Sequence, residues 1–228
     1  SKATNIGIIC EDRLEMLGQV DGVLLARDDS EHHLEIGREF MDEGLPVFFD
    51  KPISYNLKGL EAIYSLEKYP GQIFTCSALR FSQDMVLSKE DLDKLGQIWR
   101  IHARVPKTWS QYAIHVIEPI LKILDKDDHV LSFETIGPLS NRSPSTCVIT
   151  NWESGIEVKV EATGIASTPI EIEVVGSSGS RVLRFTDTFF SFKKSLEAFI
   201  KGVENKTVES PKSFNEKAIS FVEMGILT

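Results

Sequence analysis

Apolar positions in the first eighty residues follow two alternating rhythms. Asn5 to Cys10 and Gly22 to Ala26 read as short strands, the second apolar throughout its centre. Such a run, without polar alternation, fits a parallel sheet covered on both faces. Between Asn5–Cys10 and the turn at Gln19–Gly22, Leu14 and Leu17 fall on one helical face. From Ser30 to Glu43, Leu34, Gly37, Phe40 and Met41 recur at three- and four-residue spacing, predicting a helix capped by Ser30 and stopped by Gly44. Pro46 to Phe49 reads as another buried strand. Asn56 to Lys68 carries Leu57, Leu60, Ile63, Tyr64 and Leu66 as a helical stripe, and Ile73 to Phe81 is a strand after the Pro70-Gly71 stop. The β-α-β-α-β order predicts a parallel sheet with right-handed crossovers.

After Ser82 strands dominate. They are expected at Gln97–Val105, Val130–Gly137, Ser145–Trp152, Ile156–Ala162, Ile170–Val175 and Arg181–Thr186. An amphipathic stretch near Leu87–Leu95 and a helix at Tyr112–Leu124 interrupt them, and helices near Phe189–Val203 and Ser213–Ile226 follow. Gly-Ser turns such as Gly176-Ser177-Ser178-Gly179 suit antiparallel neighbours. The fold class expected is therefore α/β plus α+β: residues 1–82 form the parallel part, and residues 83–228 a predominantly antiparallel sheet with helices on one face.

A formal charge of −9 argues against a protein that grips nucleic acid or an anionic membrane, which demand a basic face. The longest apolar runs, such as Val23–Ala26, fall far short of the roughly 20 residues of a membrane helix. Cys10, Cys76 and Cys147 are widely spaced and read as reduced thiols. No metal-ligand spacing occurs, and a cytoplasmic location is the expectation.

The segment VDGVLLARDDSEHHLEIGREFMDEGLPVFFDKPIS, Val20 to Ser54, resembles the glucose–fructose oxidoreductase, inositol dehydrogenase and MocA family. Asp21, Ala26, His33, Gly44 and the triplet Asp50-Lys51-Pro52 stand where that family has a buried strand, a loop, a helix-opening histidine, a glycine and Glu-Lys-Pro. Downstream, Arg80 in SALRFS, Gly96-Gln97-Ile98, and His115 in YAIHVIE match further landmarks in order. The resemblance implies a Rossmann-type dinucleotide-binding domain followed by a substrate and oligomerisation domain, with NAD or NADP as cofactor. It also implies a homodimer or homotetramer formed through the second sheet. On this reading Ala26, Arg27, Asp28, His33, Asp50, Lys51 and Pro52 attend the cofactor. Arg80, Trp109, Gln111 and Tyr112 attend a small polar substrate such as a sugar or inositol, and Lys51 and His115 are catalytic.

The chemistry is consistent with that assignment. Ligands of open parallel sheets bind beyond the carboxyl ends of the strands, where Lys51 falls. An ammonium there stabilises developing alkoxide character, and an imidazole exchanges the hydroxyl proton near neutral pH. Each residue also has a structural reading: Lys51 a solvated strand end, His115 a core histidine beside Ile114, Ile117 and Leu121, His33 a loop-orienting group, and Trp109 and Tyr112 packing aromatics.

Two departures stand out. Gln111 replaces the aspartate that the family often places one turn before the histidine, with Glu118 one turn later as a candidate substitute. This keeps open an alternative, a non-catalytic ligand- or dinucleotide-sensing regulator of the same fold. The sequence also contains no Gly-x-Gly-x-x-Gly, so the family's first two strands, and several dozen preceding residues, are expected in the biological chain.

Overall fold

Three short strands, β1 (Val23–Leu25), β2 (Val47–Phe49) and β3 (Ile73–Thr75), lie parallel in that order, with Val23, Val47 and Ile73 in register. A computed structural model describes residues 6–138 and 144–226. One face of the sheet buries Val23, Leu25, Val47, Phe49 and Ile73 against α1 (His33–Met41) and α2 (Leu57–Tyr64). On the other face Leu24, Phe48 and Phe74 form one row. Phe48 and Phe74 meet edge-on at 4.7 Å, and each lies 5.6 Å from Phe199 of α6 (Thr188–Asn205). Leu24 stays 54 % exposed. The expected cover on both faces therefore holds for β2 and β3 but not for β1.

Several sequence expectations are corrected here. The described part of Asn5–Cys10 is not a strand; Ile8 and Ile9 are exposed, and the segment joins neither sheet. Apolar β-branched residues make a strand only where a neighbour takes their backbone hydrogen bonds. Ser30 does not cap α1 but opens a short 3-10 turn preceded by Asp29. The strand from Ile73 ends at Thr75, because Ser77 accepts a hydrogen bond from the Leu79 N–H and starts a 3-10 turn over Ala78–Phe81. The helix expected at Tyr112–Leu124 begins earlier, as α4 (Trp109–Tyr112), and continues as α5 (Ile114–Ile123).

The second sheet has six strands: β4 (Ile98–Val105), β5 (Val130–Ile136), β6 (Thr146–Trp152), β7 (Glu157–Ala162), β8 (Glu171–Gly176) and β9 (Ser180–Arg184). Their order is β5-β6-β7-β4-β8-β9, and every pair is antiparallel except β4 with β7. Period-two alternation puts Ile101, Ala103, Val148, Val158, Val160, Ile172 and Val174 into one core with α5. The opposite face carries charged residues, with Glu171 paired to both Arg104 and Arg184. A capping box at Ser88 and Asp91 starts α3 (Lys89–Leu95), just before β4.

The last helix, α7 (Lys212–Met224), belongs to both cores. Ile219 packs with the first sheet, while Ala218, Phe221 and Val222 pack with the second. Two sheets sharing one helix are fixed relative to each other, and the site lies where they meet.

Gly37 tests the packing of the first sheet. A Cβ there would stand 2.5 Å from the ring of Phe49, itself 0 % exposed. Alanine gains about 1 kcal/mol in helix propensity, but overpacking a rigid core costs about 1–3 kcal/mol. Gly37→Ala is expected to lower the urea midpoint; a higher midpoint would show that Phe49 moves aside freely.

Candidate active site

Beyond the carboxyl ends of the parallel strands lies a cavity of about 530 Å³. Ala26 and Asp28 reach it from the end of β1, Asp50 and Lys51 from β2, and Leu79 from the turn after β3. The second half supplies Lys107 after β4, then Gln111, Tyr112 and His115 from α4 and α5. Phe185 after β9 and Phe192 on α6 complete an apolar wall.

Lys51 is aimed by its strand. β2 is the central strand of its sheet, so its end is held from both sides. The ammonium lies 3.6 Å from Asp28 and 3.7 Å from Asp50, and its side chain is 18 % exposed. Two carboxylates hold the ammonium at the cavity without enclosing it.

His115 sits deeper. Its Nδ1 is 2.7 Å from the Ser77 hydroxyl, and the Tyr112 ring meets it edge-on with centroids 4.9 Å apart. Burial first, then the charges of Lys51 and Lys107, lowers its pKa to about 3. The ring is therefore neutral at pH 7.

Behind His115 runs a buried polar network. The Ser77 N–H donates to Glu118 at 2.8 Å, and Arg80 grips the same carboxylate through Nε at 2.9 Å and Nη2 at 2.8 Å. Arg80 also donates to Ser210 and Asn215, each at 3.1 Å, and its guanidinium stacks 4.3 Å from the Phe214 ring centroid. Asn215 in turn donates to the Tyr64 hydroxyl at 2.8 Å. Burial pushes the Glu118 carboxyl up, and the guanidinium pulls it back. At Arg80 burial is outweighed by Glu118, so its pKa rises. The two-pronged contact is that of an ionised pair.

Several assignments from sequence change with this geometry. Lys51, His115, Ala26, Asp28, Asp50, Gln111 and Tyr112 come together around one cavity. Arg80 does not reach it, because its buried guanidinium is turned inward onto Glu118, Ser210 and Asn215. Trp109 is buried, with its Nε1–H donating to the Val222 carbonyl at 2.7 Å, so it anchors α7. Arg27 points outward and pairs with Asp29. Pro52 lines a small recess on the far side of Lys51. His33 is 0 % exposed, its ring nitrogens each 3.0 Å from the carbonyls of Ile53 and Arg27. It ties the loops after β1 and β2 together. Glu118 does not touch the imidazole; Ser77 does. Gln111 accepts from the Thr108 hydroxyl at 3.0 Å and has no bond to His115.

Sequence reading missed Ser77, Lys107, Phe185 and Phe192. Ser77 was in principle visible, since it follows the end of a parallel strand. Lys107 holds φ at 63°, and its carbonyl accepts from the Gly164 N–H at 2.9 Å. That left-handed backbone costs about 1–2 kcal/mol in a non-glycine residue, and no sequence pattern announces it. A larger groove of about 670 Å³ lies between α2, β5 and α7, and its Asp128 and Lys217 are engaged in bonds of their own. Asp128 accepts from Ser154, and Lys217 donates to backbone carbonyls.

No protein-family model matches the sequence, and no curated protein matches it. Solved structures do. An oxidoreductase from Thermotoga maritima superposes with a TM-score of 0.77 at 17 % identity, over 93 % of this chain and 78 % of the other. The myo-inositol 2-dehydrogenase of Lactobacillus plantarum gives 0.75 at 13 % identity, over 93 % and 80 %. The scyllo-inositol dehydrogenase of Lactobacillus casei, solved with NAD(H) and scyllo-inositol, gives 0.73 at 17 %, over 94 % and 80 %. The chain thus has the fold of the inositol dehydrogenases and their oxidoreductase relatives, as the landmarks around Asp50-Lys51-Pro52 implied.

The neutral His115 makes stability depend on pH. An unfolded histidine titrates near its ordinary value of about 6.5, and the folded one near 3. Between these values the unfolded chain binds the extra proton. This contribution is therefore full above pH 6.5 and is lost progressively as pH falls towards 3. Urea midpoints measured from pH 7 to pH 4 should fall less steeply for His115→Gln than for wild type. Parallel profiles would contradict a buried neutral imidazole.

Proposed function

We propose that the protein is a nicotinamide-dependent oxidoreductase acting on a hydroxyl or carbonyl of a small polar compound of the sugar or inositol class. The observation that carries this is Lys51 and His115 facing one cavity at the carboxyl ends of a parallel sheet. The fold shared with inositol dehydrogenases, one of them solved with NAD(H), supports it.

The residues fit the nicotinamide end of a dinucleotide. Ala26 leaves room at the end of β1, and Asp28, Asp50 and Lys51 supply polar groups beside it. In the adjoining loop the Ser30 hydroxyl is buried and is the one such side-chain atom among the described residues without a hydrogen-bond partner. The fit concerns this end only, since no Gly-x-Gly-x-x-Gly occurs in the sequence. A bound nicotinamide supplies hydride transfer to or from the reacting carbon.

The protein's own groups do the rest. The Lys51 ammonium donates to the reacting oxygen and stabilises its negative charge. His115 Nε2 accepts the hydroxyl proton during oxidation and returns it during reduction, while Ser77 holds Nδ1. Phe185 and Phe192 keep the wall apolar, which strengthens the field of the lysine. Gln111 favours a second reading. It carries no charge and bonds Thr108 rather than His115, as would suit a sensor of the same fold that binds ligand without redox chemistry.

Reduction of NAD and of NADP across a polyol and inositol panel separates the two. Turnover is expected, with Lys51→Met lowering kcat by about 10²-fold or more while the fold is retained. Dinucleotide and polyol binding without reduction would establish the sensor instead.

A further inference from the structure

Resting on the proposed oxidoreductase reading, we infer that the substrate carries an anionic group, and that Lys107 with Gln111 and Thr188 receives it. The charges around the cavity are unevenly distributed. Both carboxylates that line it, Asp28 and Asp50, approach Lys51. Lys107 forms no ion pair with any carboxylate of the described residues, and its ammonium lies 4.4 Å from the centroid of the Tyr112 ring. The chain as a whole carries a formal charge of −9, and Lys107 presents an unpaired positive charge to the cavity. The Tyr112 ring that carries Lys107 also abuts His115, so the ammonium is delivered next to the reacting groups.

The neighbours of Lys107 are donors. Thr108 occupies the Gln111 amide oxygen, which leaves the Gln111 amide N–H groups as donors, and Thr188, a residue with a hydroxyl, also lines the cavity. An ammonium, an amide N–H₂ and a hydroxyl form a set that receives a carboxylate or a phosphate. The Asp28 and Asp50 carboxylates disfavour the same anion at the β1–β2 end, so charge alone orients the substrate. Its anionic end lies towards Lys107 and its hydroxyl towards Lys51 and His115. The left-handed backbone of Lys107, fixed by Gly164, holds the ammonium in this place. The lowered pKa of His115, to which Lys107 contributes, agrees with its nearness.

Titration calorimetry with D-glucuronate, D-glucose 6-phosphate and D-glucose tests this. At least one anion is expected to bind about ten-fold or more tightly than glucose, as one charged hydrogen bond implies, and to weaken with added salt. Whichever anion does so distinguishes carboxylate from phosphate. Lys107→Met should close the gap between anion and glucose, and Lys107→Arg should restore most of it; thermal melts check that both variants are folded. Equal binding of all three compounds, salt-independent binding, or an unchanged preference in Lys107→Met would overturn the inference. Anion binding that depends on Lys107, without reduction of either dinucleotide, would leave this site standing and remove the oxidoreductase reading.

Discussion

The Arg80–Glu118 pair is 7 % and 3 % exposed by side chain and joins the turn after β3 to helix α5. A buried ion pair is tolerable only with complete hydrogen bonding, and that requirement recruits Ser77, Ser210, Asn215 and, through Asn215, Tyr64. These residues come from α2, the turn after β3, α5 and the start of α7. Satisfying one pair therefore sets α5 and α7 against the end of the parallel sheet. His115 stands three residues before Glu118 on α5 and faces Ser77, whose own N–H is held by Glu118. The position of the imidazole is thus a consequence of the ion pair behind it.

Charge is divided between the two sides of this frame. Lys51 sits in a partly exposed place with two carboxylates near it, while burial and two facing lysines hold His115 neutral.

Much of this was legible in the sequence. Apolar runs and helical spacing located both sheets, and Asp50-Lys51-Pro52 with His115 marked the cavity. What failed depended on long-range contacts. The Ile6–Cys10 run has strand composition but joins neither sheet. Arg80 and Trp109 look like site residues in sequence, yet their partners Glu118 and Val222 lie 38 and 113 positions away and turn them inward. Lys107 and Phe192 reach the cavity only because β4 and α6 end or begin beside it. No local pattern encodes such meetings.

The proposed hydride chemistry at Lys51 and His115 is tested most directly by isotope transfer. With a polyol or inositol deuterated at the reacting carbon, the account predicts one deuterium on the nicotinamide ring per molecule oxidised, read by mass spectrometry, and a strongly reduced rate of transfer in Lys51→Met. Substrate and dinucleotide that both bind while no deuterium moves, or transfer that proceeds unchanged without Lys51, would contradict it.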